Sequence, residues 1–245
     1  MELINMFYDE IEDAAKRGVP FIIPIGTIEY HAHHASCGTD TMVITGCLHE
    51  LEKERELVIC PPIWYGVASM AVCGPRPGHI QVDEDTYAAY VYQVLRSMVY
   101  GGVKNIYLIA HHQTAHAGLR PMTIACHKAA QKVIMEYLET TVGDGWWGNG
   151  ENAEYYSIMG TKEDPLSYIK VLPLIGADAQ EKCGGFDHAG KWETSLMLGT
   201  WPQNVDLSRC GRNTEWYAQN AREASVETGR HMVSCTLEWL RSVIV

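Results

Sequence analysis

Three short, nearly continuous apolar runs mark this chain: FIIPIG at 21–26, LVICPP at 57–62 and NIYLIA at 105–110. Runs of this kind suit the strands of a parallel sheet, which are covered on both faces. The stretches between them read as helices. Residues 2–17 place Leu3, Met6, Phe7, Ile11 and Ala14 at helical spacing, and Gly18 ends that segment. Asp40 or Thr41 is placed to cap a helix reaching about Glu54. Asp83 or Asp85 starts another, which Gly101-Gly102 stops after Tyr100. A third runs from about Ala117 to Leu138, VLPLIG at 171–176 reads as a fourth strand, and a last helix spans about Glu215 to Val243. Strand alternating with helix predicts an α/β fold, a parallel sheet with helices on both faces. No internal repeat, low-complexity stretch or linker breaks the pattern, so residues 1–245 read as a single domain.

Composition removes several classes of function. With 47% hydrophobic residues the chain has enough apolar surface to fold. No apolar run approaches the roughly 18 residues of a membrane span. The acidic, amphipathic first residues lack the basic start and apolar core of a signal peptide, which predicts a cytoplasmic protein. Nineteen Lys and Arg against thirty Asp and Glu give a net charge of −11, with no basic stripe for a nucleic-acid partner. Eight scattered cysteines without a C-x-x-C suggest free thiols in a reducing compartment. No P-loop, dinucleotide-binding glycine motif or G-x-S-x-G is present. His49-Glu50 resembles the start of a zinc-protease motif, but Lys53 stands where its second histidine belongs.

The chemistry gathers in three windows. Six of the eleven histidines fall in GTIEYHAHHASCGTD (26–40) and IAHHQTAH (109–116), each directly after a predicted strand. Ligands of open α/β sheets bind beyond the carboxyl ends of strands, so the topology predicts that both windows border one crevice. Glu29 and His31, two residues apart, share a face of an extended segment, and Asp40 adds a second carboxylate. His112 follows, with His111 and His116 nearby. A mixed imidazole and carboxylate set suits zinc, manganese or iron(II). His33 and His34 carry no feature that marks them as ligands. The third window is DHAGKWETS (187–195), in which His188 could move protons and Glu193 could complete a metal shell. Glu193 could equally cap the helix that begins near Lys191, or orient a ligand histidine. A loop at 143–155, rich in glycine and carrying Trp146 and Trp147, is expected to border the pocket or a subunit contact.

In order and spacing these windows resemble the creatininase (creatinine amidohydrolase) family over nearly the whole chain. PIGTIEYH with Thr39-Asp40 is similar to its first signature, Pro-x-Gly-Ser-x-Glu-Gln-His followed by Thr-Asp. HAGKWETS (188–195) is similar to its His-Ala-Gly-x-x-Glu-Thr-Ser, and IAHHQTA (109–115) stands where the family has Asn-Gly-His-Gly-Gly-Asn. The resemblance implies a three-layer α/β/α sandwich with a mostly parallel sheet, two divalent metal ions that activate water, and a homo-oligomer, often a hexamer. It implies Glu29, Asp40 and His112 at one metal, His31 and a bridging Asp40 at the other, and His188 as the proton carrier. The chain departs from creatininase at Thr114, where that enzyme has a metal-binding glutamate, and at Ala110-His111, where the family has Asn-Gly. Glu193 is the acidic residue able to replace the missing ligand, since two close cations need anionic partners.

The expectation is therefore a metal-dependent hydrolase acting on a small, cyclic amide-type molecule. One alternative is a C–C hydrolase that opens an oxidised inositol ring such as 3-dehydro-scyllo-inosose. Another is a non-catalytic metal-binding protein on the same fold.

Overall fold

The computed structural model describes residues 1–112 and 120–245. Four parallel strands form the sheet: β1 (Phe21–Ile25), β2 (Val58–Ile59), β3 (Ile106–Ala110) and β4 (Ile169–Pro173), in the order β2-β1-β3-β4. Side chains along the central strands alternate between two cores. Phe21, Ile23, Ile25, Ile106 and Leu108 enter one, and Ile22, Tyr107 and Ile109 enter the other. The period of two in an extended chain explains why both faces need apolar residues, and hence why the runs are continuous.

Helices α1 (Tyr8–Arg17), α3 (Glu84–Tyr100) and α4 (Pro121–Thr141) cover the first face. The other face carries α2 (Thr39–Leu51), α6 (Ala177–Cys183), α7 (Lys191–Thr200) and α8 (Val226–Val243), while the short α5 (Tyr155–Ile158) lies in the loop before β4. The result is the three-layer α/β/α arrangement. From β1 the chain passes to β2 on one side, and from β3 to β4 on the other. The order therefore reverses between β1 and β3, the place where loops diverge and open a crevice.

Several boundaries differ from the sequence reading. The first helix begins at Tyr8, because Glu2 bridges in parallel to Ile59 and the Ile59 amide donates to the Met1 carbonyl at 2.8 Å. Those residues extend the sheet edge instead of a helix, and Leu3–Asn5 makes a separate 3-10 turn. Neither Asp40 nor Thr41 caps α2: the cap position is Gly38, and Asp40 lies in the first turn. β2 is two residues long because Pro61 and Pro62 follow it and bring no donor to the ladder. β4 starts two residues earlier than expected, and α6 was too short to show a period. The last helix starts at Val226, where the Ser225 hydroxyl accepts the Thr228 amide at 3.1 Å. Residues ahead of it form two 3-10 turns, Trp216–Ala218 and Ala221–Glu223. Asp83 does cap α3, accepting the Thr86 amide at 3.0 Å. The helix expected from Ala117 is described from Pro121 onward, and 117–119 lie outside the described residues. All eight cysteines are free, six of them buried. Among the described residues, no helix is long and apolar enough to cross a membrane.

Candidate metal centre

The segment leaving β1 carries Glu29 and His31, and the segment leaving β3 carries His111 and His112, so the two histidine windows flank the reversal point. Asp40 joins them because α2 begins hard against the end of β1. A Cβ on Gly26 would lie 2.4 Å from the Thr41 hydroxyl and 2.7 Å from the Thr41 amide, so only glycine permits this approach. Glu193 comes from the first turn of α7, which lies on the same face of the sheet as α2. Asp187 anchors that turn: its carboxylate accepts the Trp192 and Glu193 amides, both at 3.0 Å. Ala189 takes a left-handed conformation (φ 50°), disfavoured for an L-residue by roughly 1–2 kcal/mol. Its amide there donates to Glu193 Oε2 at 2.6 Å.

Donor atoms converge in three groups: two share Asp40, and a third joins Glu29, His31 and His188. In the first, His112 Nδ1 lies 3.2 Å from Glu29 Oε1 and 3.5 Å from Asp40 Oδ2. In the second, His31 Nε2 lies 3.7 Å from Asp40 Oδ1 and 3.4 Å from Glu193 Oε2. His188 Nδ1 is 3.5 Å from Glu29 Oε1 and 3.8 Å from Glu193 Oε2. Glu29, His31, Asp40, His112 and Glu193 are all buried, whereas the His188 side chain keeps 26% of its surface. All six candidates read from the sequence thus meet in one place. Gln113, Thr114 and His116 lie outside the described residues.

The electrostatics fit a cation. Three carboxylates are buried together, and among the described residues their charged partners are histidines, with no lysine or arginine. Burying charges without compensation costs several kcal/mol, roughly. Among the described residues, Glu29 Oε2, Asp40 Oδ2 and His31 Nε2 have no hydrogen-bond partner, which buried polar atoms rarely tolerate. Without metal, protons supply the missing positive charge. Burial would push His112 down, but the Asp40 and Glu29 carboxylates beside it outweigh that and raise it to about 10. His31 is likewise raised against its burial by Glu193 and Asp40. Burial would raise Asp40 and Glu193; His112 and His31 hold Asp40 low, and His31 and His111 hold Glu193 low. Burial and the Asp40 charge push Glu29 up. For His188, burial and His31 lower the value, leaving a neutral ring at pH 7.

Two further histidines brace the start of α7, His111 through Glu193 and His34 through Thr194. His111 Nε2 donates to Glu193 Oε1 at 2.9 Å. Asn213 Nδ2 donates to His34 Nδ1 at 3.0 Å, so His34 Nε2 carries the proton and donates to the Thr194 hydroxyl at 2.8 Å. His34 stands outside the groups of donor atoms, as expected. No local pattern marks either contact, because both partners are distant in sequence. The expectation for the tryptophan loop does not hold for the pocket. Trp146 packs on the α3 and α4 face and Trp147 on Tyr155 and Tyr156, and neither borders the cleft. Aromatic lining comes instead from Phe186, Trp216 and Tyr217, which the overlong helix reading concealed in part.

Comparison with known proteins shows the family and the fold. The family model described as creatinine amidohydrolase matches residues 5–243. The chain belongs to the creatininase family. Creatinine amidohydrolase of Pseudomonas putida is 22% identical over 194 residues, covering 77% of this chain and 66% of that protein. The 3-dehydro-scyllo-inosose hydrolase of Thermotoga maritima is 26% identical over 202 residues, covering 81% and 56%. The match therefore spans just under two thirds and just over half of these relatives. A crystal structure of creatinine amidohydrolase superposes with a TM-score of 0.75 at 19% identity, covering 99% of this chain and 96% of that one. A manganese creatininase (TM-score 0.73) and a mutant of Zn-Zn type (0.72), each 19% identical and covering 99% and 98%, share the fold.

Proposed function

We propose that this member of the creatininase family is a metal-dependent hydrolase of amide-type substrates that binds two divalent ions. Glu29, Asp40 and His112 would hold one ion, and His31, Asp40 and Glu193 the other. The observation that carries this reading is the division of Asp40: Oδ2 faces His112 and Oδ1 faces His31, so one carboxylate serves both groups. Zinc, manganese and iron(II) all suit such ligands, and the relatives with zinc or manganese support the first two. When bound, such ions acidify a water toward a pKa of about 7 and polarise a carbonyl.

The chain's own part is proton handling and positioning. His188 Nε2 donates to the Tyr30 carbonyl at 3.0 Å, which leaves Nδ1 without a proton and facing the carboxylates. In its neutral form Nδ1 takes a proton at the floor of the cleft and returns it to the leaving group. His111 and the Ala189 amide hold the two oxygens of Glu193, and Asp187 fixes the turn that carries it. The leaving atom is nitrogen in an amide. In a keto-inositol it would be carbon, a second reading that the Thermotoga maritima relative supports. The chain is taken to act as one unit and to assemble as a homo-oligomer, which a sedimentation measurement tests directly.

Glu193→Gln tests the assignment, since it keeps shape and removes charge. Elemental analysis should find one metal equivalent lost and one retained after reconstitution with zinc or manganese. Protein that takes up no metal under any of these conditions would overturn the reading, and two equivalents at unchanged affinity would remove Glu193 from the ligand set.

A further inference from the structure

Resting on the hydrolase reading above, we infer that this cleft takes an amide whose carbonyl lies at the metal centre and whose second part is an aromatic or apolar group. Two adjoining cavities make up the cleft. The inner one, about 370 Å³, contains the carboxylates and histidines, and the outer one measures about 620 Å³. They share Ala71, Val72, Phe186, Asp187 and His188, so they form a continuous path. Their size is that of sites for drug-sized ligands, well beyond what a single small ring fills.

The outer cavity has aromatic walls. Tyr217 meets His188 edge-on with ring centroids 5.1 Å apart, and Trp216 meets Tyr217 in the same way at 5.7 Å. These rings lead outward from the proton carrier. On the other side Phe186 packs edge-on to His111 at 5.5 Å. Trp216 is 85% exposed and lines the mouth of the outer cavity.

Several polar groups around this cavity are engaged by the protein itself. Both oxygens of Asp187 accept amides of α7. Asn220 Oδ1 accepts the Lys191 amide at 3.1 Å, and Gln219 Nε2 donates to the Glu215 carbonyl at 2.9 Å. The Tyr217 hydroxyl is buried, with no hydrogen-bond partner among the described residues, and the Tyr217 side chain lines the cavity. What the outer cavity offers is chiefly stacking and apolar contact. A polyhydroxylated ring would lose its hydration there with few partners in return, and an aryl or alkyl group would gain.

The test uses zinc-reconstituted protein and isothermal titration with three probes: benzohydroxamate, acetohydroxamate and scyllo-inosose. The two hydroxamates share the metal-binding head and differ in the aromatic group. Benzohydroxamate should bind about 10–50-fold tighter than acetohydroxamate. Trp216→Ala should remove roughly 5-fold or more of that advantage with little change for acetohydroxamate, and Trp216→Phe should restore part of it. Trp216 is exposed, so its loss should leave the fold intact. Equal affinity for the two hydroxamates, or equal weakening of both by Trp216→Ala, would overturn the inference while leaving the metal centre standing. Tighter binding of scyllo-inosose than of benzohydroxamate would overturn it in favour of the polyol. Failure to retain zinc would overturn both this inference and the function on which it rests.

Discussion

A single methyl group at the crossing of α7 and α8 should unsettle both the fold and the metal centre. A Cβ on Gly229 would lie 1.9 Å from the Ser195 carbonyl oxygen and 2.8 Å from the Gly199 amide nitrogen. Both are backbone atoms of α7, so no change of rotamer relieves the contact. Restoring ordinary van der Waals distance requires the helices to part by about 1–1.5 Å, in an interior packed as densely as an organic crystal. Overpacking costs about 1–3 kcal/mol when side chains alone must move, and rigid backbone places this case at the upper end or above. Alanine returns about 1 kcal/mol as the better helix former. A net loss of about 2 kcal/mol follows, which lowers Tm by about 4–8 °C for a chain of this length. Because α7 carries Glu193 in its first turn, the displacement should also weaken the second metal site. Thermal denaturation followed by circular dichroism, together with zinc titration of the same protein, reads both effects. Gly148→Ala is the control: a Cβ there meets nothing within 4 Å, and the change should stay within about 0.5 kcal/mol. A Gly229→Ala protein as stable as the parent would refute the argument from the helix crossing.

Asp40→Ala should be the most damaging ligand change, with both metal equivalents lost in elemental analysis; retention of either one contradicts its shared role. His188→Ala should lower kcat about 10²–10⁴-fold with metal content unchanged, and loss of metal in that variant would make it a ligand instead. Metal uptake should release protons, because His112, raised to about 10, is protonated at neutral pH and must be neutral to bind a metal. Apparent affinity should therefore fall as pH falls. Calorimetry in buffers of different ionisation enthalpy measures the release, and a heat independent of buffer would contradict it.

The sequence by itself determined the layered fold and the identity of the chemical groups. Continuous apolar runs demand cover on both faces, and helical stretches between them supply it, so the three layers follow from burial alone. Glu29, His31 and Asp40 could be read because they are close in the chain, and the HAGKWETS window exposed His188 and Glu193 in the same way. Tertiary structure decided how these windows meet. Strand order places the reversal between β1 and β3, and no local pattern encodes strand order. The contacts of His111 with Glu193 and of His34 with Thr194 join residues 82 and 160 positions apart, beyond any spacing rule. Helix ends moved where a remote partner competed for the backbone: Ile59 drew the first residues into the sheet, and Lys191 engages Asn220 ahead of α8. The sequence pointed to Trp147, in a glycine-rich loop, and put Trp216 inside a helix, yet of the two it is Trp216 that stands at the cleft, because the path of the backbone sets which surface a side chain reaches.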